Sequence, residues 1–119
     1  MTPGIVTFPS KATVSVDIAE RPEEQAKGLS GRTSLTADSG MLFWFGTRAD
    51  HGFWMKRTLI PLDIVFIDYG RVVGILTLQP LDERSFRCGR LSSCVLEVNG
   101  GFCEKNGILV GDSAQISLA

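Results

Sequence analysis

The chain has 119 residues, the length of one domain, and its 44% apolar content is enough to bury a real core. Twelve Lys and Arg against 13 Asp and Glu leave a net charge of −1 and a pI near 5.8, which argues against a charge-driven nucleic-acid binder. The 21% charged content and the aromatic residues exclude a disordered polyelectrolyte, and no apolar run approaches the ~18 residues of a membrane span.

The first nine residues, with Pro3, Gly4 and Pro9, lack a basic segment followed by a long apolar one and do not read as a signal peptide. A cytoplasmic protein is the default expectation, an exported one if a leader has been removed. In residues 12–19, Val14, Val16 and Ile18 alternate with polar residues, the period of a strand with one buried face. Pro22, the acidic pair Glu23 and Glu24, Lys27 and then Gly28 predict a short helix with Ala26 and Leu29 facing inward. Weaker strands are expected over residues 41–45 and 53–56.

Residues 64–67 are apolar throughout, as suits a strand covered on both sides, and Asp68-Tyr69-Gly70 turns the chain into a returning strand over 72–78. Residues 79–93 read as a long loop. Further strands are expected over 94–98 and 113–118, with a helical turn between Asn99 as cap and Asn106-Gly107 as stop. The expected class is mainly β (α+β): a small single-domain β-barrel or β-roll over residues 1–119, with one or two short helices.

Three cysteines, Cys88, Cys94 and Cys103, fall close together without a C-x-x-C pair. Reduced thiols are the first expectation, ahead of a Cys88–Cys94 disulfide and of zinc held by the three thiols with His51. No metal and no cofactor is therefore expected, and no phosphate loop, dinucleotide fingerprint or metalloprotease motif occurs.

The middle of the chain carries a signature. Gly40-Met41-Leu42-Phe43 is followed by Phe53-Trp54-Met55-Lys56-Arg57-Thr58 and by Pro61-Leu62-Asp63-Ile64-Val65-Phe66-Ile67-Asp68. Val95-Leu96-Glu97, Gly100-Gly101, and Gly107-Ile108 with Gly111-Asp112 complete it. In this order the blocks resemble the uncharacterised domain-of-unknown-function family 192, over about residues 14–118. Ser30 stands where that family usually has Met, and Arg57 where it usually has Asn. The resemblance implies a compact β-rich fold with a flanking helix, in a family whose members are often exported, and it supplies no reaction.

Five residues are the candidates for a binding site: Trp54, Lys56, Asp63, Arg21 and Arg32. As a strand, residues 53–56 put Trp54 and Lys56 on one face, a platform for a sugar, a planar ring or a carboxylate; the bland alternative is a core Trp edged by a lysine stem. Asp63 opens a run that should be buried, so it must pair with Lys56, Arg57 or Arg32, or accept backbone N–H groups. Arg21 and Arg32 flank the short helix and suit an anionic ligand, if they are not simply solvated. Glu97 is expected to be exposed or paired with an arginine, and His51 to be a loop histidine without a task.

These residues favour a non-catalytic module binding a small polar ligand or a protein partner. The alternatives are an accessory domain of a larger assembly, or a hydrolase-like enzyme with Asp63 as general base and Lys56 or Arg32 stabilising an oxyanion. Neither a nucleic-acid partner nor a membrane span is expected.

Overall fold

A computed structural model describes residues 1–119. Its elements run β1 (Thr2–Thr7), β2 (Thr13–Ala19), α1 (Pro22–Lys27), β3 (Ser39–Ala49), β4 (Leu62–Asp68), β5 (Arg71–Leu78), β6 (Ser92–Asn99), α2 (Phe102–Lys105) and β7 (Gln115–Leu118). The class is mainly β with two short helices, as the alternation of apolar residues predicts.

All seven strands form one sheet in the order β5-β4-β6-β3-β2-β1-β7. Only β2 and β3 run parallel, joined through α1; every other pair is antiparallel. The β-barrel expected from the strand spacing is not closed. A single bridge between Arg71 and Ser113 brings the approach to β7 against the head of β5, but the two strands do not pair along their length.

The β4–β5 hairpin closes through Tyr69 and Gly70, both at positive φ (48° and 69°), between the paired Asp68 and Arg71. That is the tight turn whose twist matches the strands it joins. Arg48 holds the turn from outside: its guanidinium donates to both carboxylate oxygens of Asp68, at 3.0 and 2.8 Å, and stacks over the Tyr69 ring.

Both faces of the sheet are covered. Val16, Leu42, Val65, Leu96 and Val98 pack on one face with Phe102 and Cys103 of α2. Met41, Phe43, Ile64, Phe66 and Val95 pack on the other with Leu29 and Met55. The thiols follow the same division: Cys94 and Cys103 lie in the first layer, while Cys88 packs against the second. The Cys88–Cys94 disulfide considered from sequence is therefore not formed, because the two thiols belong to opposite faces.

Three expectations need correction. Residues 53–56 form no strand; only Phe53 makes an isolated bridge, to Phe86. Ala26 is exposed, since α1 buries none of its own side chains, and only Leu29 beyond it reaches the core. The cap of α2 is Gly101 rather than Asn99, whose side-chain amide instead donates to the carbonyl of Leu35 at 2.8 Å. No helix is long and apolar enough to cross a membrane.

Candidate functional site

On the second face, α1 with its exit turn and residues 50–61 leave between them a cleft of about 440 Å³. One wall is fixed by Gln25, whose amide donates to the carbonyls of Ala19 (3.1 Å) and Trp44 (2.9 Å). Glu24 reaches back to the N–H of Arg21 at 3.1 Å, supplying the cap that the arginine side chain does not. The opposite wall lacks regular structure, so its backbone groups bond elsewhere. Phe53 and Phe86 exchange hydrogen bonds of 2.9 and 2.8 Å, and Met55 donates to the carbonyl of Asp82 at 2.7 Å. Gly31 donates to the carbonyl of Arg57 at 2.9 Å, tying the two walls together.

Aromatic rings line the interior. Phe53 meets Phe43 edge-on with centroids 5.4 Å apart, and His51 lies flat on Phe45 at 3.8 Å. His51, which lies in a loop as expected, is one of the residues lining the cleft. At the mouth, Trp54 is 54% exposed, and the ammonium of Lys56 stands 5.1 Å from its ring centroid. Even without a strand, the alternation in this segment persists: Met55 is buried while Trp54 and Lys56 face out.

Glu97 forms the floor. On β6 it pairs with Met41 of β3 and Ile64 of β4, so apolar side chains flank its carboxyl on either side. It is 5% exposed, and no hydrogen bond or ion pair compensates its burial, which pushes its pKa up to about 8. Sequence reasoning expected an exposed or arginine-paired residue here. The signal that could have found it is a lone acid inside the apolar run Val95–Val98, the same signal that singled out Asp63.

The five predicted site residues do not share one groove. Trp54 and Lys56 come together at the cleft mouth, joined by Lys27 and Arg57, which the sequence reading did not propose for the site. Arg32 lines an adjoining depression that shares Lys27, Gly28 and Ser30 with the cleft. Arg21 is exposed at the other end of α1, 3.8 Å from Glu23.

Asp63 points to the opposite face of the sheet. Its carboxylate accepts from Thr77 Oγ1 (2.7 Å), Gly101 N (3.1 Å) and Cys103 N (2.9 Å). It pairs with no cation; it ties the start of α2 to β4 and β5. No group of three or more His, Cys, Asp or Glu side chains is arranged to hold a metal ion.

The family described as DUF192, Uncharacterized ACR, matches residues 5–116. A protein of unknown function from Novosphingobium aromaticivorans DSM 12444 is similar in structure, with a TM-score of 0.87 and 37% identity over 95% of this chain and 83% of its own. A protein from Sinorhizobium meliloti 1021, described as a candidate transcription regulator, gives a TM-score of 0.87 and 30% identity over 96% of this chain and 92% of its own. No curated protein shows a significant match to the chain.

Proposed function

The chain belongs to the DUF192 family of uncharacterised proteins, and from that premise, with the site left to define the role, we propose a non-catalytic module that binds a small polar ligand in the cleft above Glu97. The observation that carries this reading is the Glu97 carboxyl itself, nine-tenths buried, facing the cleft and without a protein partner. The one fully enclosed side-chain polar atom without a partner is Ser92 Oγ; the Glu97 carboxyl is instead reached from the cleft, so a group that enters the cleft can bond to it. A ligand donor or acceptor supplies the missing half of the hydrogen bond. The aromatic walls supply the apolar contact that small-molecule clefts combine with a few convergent polar groups.

The hydrolase alternative draws no support from this arrangement. It requires Asp63 beside Lys56 or Arg32 at one reacting centre, whereas Asp63 is occupied by three donors on the other side of the sheet. The transcription-regulator description of the Sinorhizobium relative does not bring nucleic acid into the reading either, since a net charge of −1 provides no general attraction to a polyanion.

Screening a small-molecule library by protein-observed NMR tests the proposal. The expected hits shift the indole N–H of Trp54 and the amides of Gly28 and Glu97 together. Calorimetry then follows them into Trp54→Ala and Lys56→Ala, where affinity should fall. A library that leaves those signals unmoved, or hits with unchanged affinity in both variants, overturns the reading.

A further inference from the structure

We infer that the cleft takes a small organic anion with a planar body, its charged group held at the mouth by Lys27, Lys56 and Arg57 and its far polar group set on Glu97. The inference rests on the reading of the cleft as a ligand site and adds to it the charge and shape of the ligand.

The charge follows from which cations line the cleft. Arg48 is paired with Asp68, Arg84 with Asp82, and Arg21 stands beside Glu23. Lys27, Lys56 and Arg57 take part in no ion pair, and all three line the same cleft. The cleft holds one acidic side chain, Glu97, and burial between Met41 and Ile64 favours its neutral form. Three cations therefore converge on a concave, partly apolar site without a counter-charge, an arrangement that concentrates anions. A cationic ligand would have to pass all three to reach Glu97.

The shape follows from the walls. Phe43, Phe45 and Phe53 present ring faces and edges to the cleft, with His51 stacked against Phe45. Flat π surfaces favour a planar partner over a branched aliphatic one. The Trp54 ring carries the Lys56 ammonium, so a carboxylate bound there meets a cation already held in place.

Three para-substituted benzamides test the inference: the same ring and amide, bearing a carboxylate, a carboxamide or an aminomethyl group. Each is titrated at pH 7 while the Trp54 indole and the Gly28 and Glu97 amides are followed by NMR. The carboxylate should bind about tenfold more tightly than the carboxamide and the amine least of all. Lys27→Met and Lys56→Met, both exposed and so tolerated by the fold, should each weaken the carboxylate alone.

A pH arm uses the carboxylate probe only. The charged or titratable groups lining the cleft around Glu97 are Lys27 from α1 and His51, Lys56 and Arg57 from residues 50–61; its strand neighbours carry none. Between pH 7 and 9 affinity should fall by up to about tenfold as Glu97 ionises, and Glu97→Gln should abolish that fall. If the amine or the amide binds best, or the lysine variants leave the carboxylate unaffected, the anion inference fails while the ligand site stands. If none of the three moves the cleft signals, the anion inference fails, and the library screen alone decides the ligand site.

Discussion

Gly28 lies over the carboxyl of Glu97: a β-carbon built on it would stand 3.8 Å from Oε1 of Glu97 and 3.4 Å from the edge of the Phe43 ring. The same glycine ends α1 at φ 50° and ψ −133°, a conformation closed to other residues without strain. Helix termination and cleft opening thus fall on one residue. Gly28→Ala should cost about 1–3 kcal/mol in urea unfolding and also reduce the affinity of cleft ligands. Gly31→Ala is the control, since Gly31 has φ 80° but nothing within 4 Å of a β-carbon. It should show the stability loss without the binding loss. Equal binding losses in the two variants would remove Gly28 from the cleft mouth.

Glu97 should make stability depend on pH in the neutral range. Its pKa rises from 4.5 to about 8 on folding, so the folded state binds its proton more tightly than the unfolded chain. Below pH 4.5 both states hold the proton and the contribution is fully present. As pH rises from there to about 8 the unfolded chain alone loses its proton, and stability falls with a slope approaching about 1.4 kcal/mol per pH unit. Asp68, held low by its hydrogen bonds to Arg48, acts in the opposite sense, but only as pH falls below 3.8. Glu97→Gln should therefore match the wild type near pH 4 and exceed it at pH 8. Parallel profiles from chemical denaturation across that range would contradict the assignment.

Much of the sheet is written in local pattern, and the exceptions have physical causes. Val14, Val16 and Ile18 lie buried on β2, the apolar run 64–67 lies inside β4, and Tyr69-Gly70 turns the hairpin as the residue types require. No strand is predicted over residues 2–7, yet β1 forms there. Pro3 lies at the end of the β1–β7 ladder, where its carbonyl still accepts from Ala119 N at 3.2 Å and only the N–H it lacks goes unused. For the site, alternation gave the relation of Trp54 to Lys56 but not what covers each face of the sheet. That is why alternation alone leaves Glu97 exposed or arginine-paired: period two places a residue on a face, and only the packing of α1 and residues 50–61 makes that face an interior.

Asp63 shows the other resolution of a buried carboxylate, and its removal should affect stability alone. Asp63→Asn sets an amide donor against some of the N–H groups of Gly101 and Cys103 and the hydroxyl of Thr77, all of which now donate to it. The expected loss is about 1–3 kcal/mol, with Thr77→Val costing less because the two backbone donors remain satisfied. Ligand affinity in the cleft should be unchanged in both variants. A folded Asp63→Asn protein that no longer binds cleft ligands would show that the two faces are coupled.

Arg57 should trade stability against binding. It occupies the third position of the turn from Met55 to Thr58, whose closing hydrogen bond, Thr58 N to Met55 O, is 3.0 Å, and its φ is 59°. Turns with positive φ at that position favour Gly or Asn, and the family pattern this segment resembles carries Asn. An arginine there bears a steric cost of about 1 kcal/mol while placing a guanidinium at the cleft mouth. Arg57→Asn should therefore raise stability by about 0.5–1 kcal/mol in urea titration and weaken binding of the benzamide carboxylate while sparing the carboxamide. Opposite signs for stability and affinity mark a residue kept for its site rather than its fold. A variant that loses stability would show the turn to be unstrained, and one that binds the carboxylate as well as the wild type would remove Arg57 from the anion site.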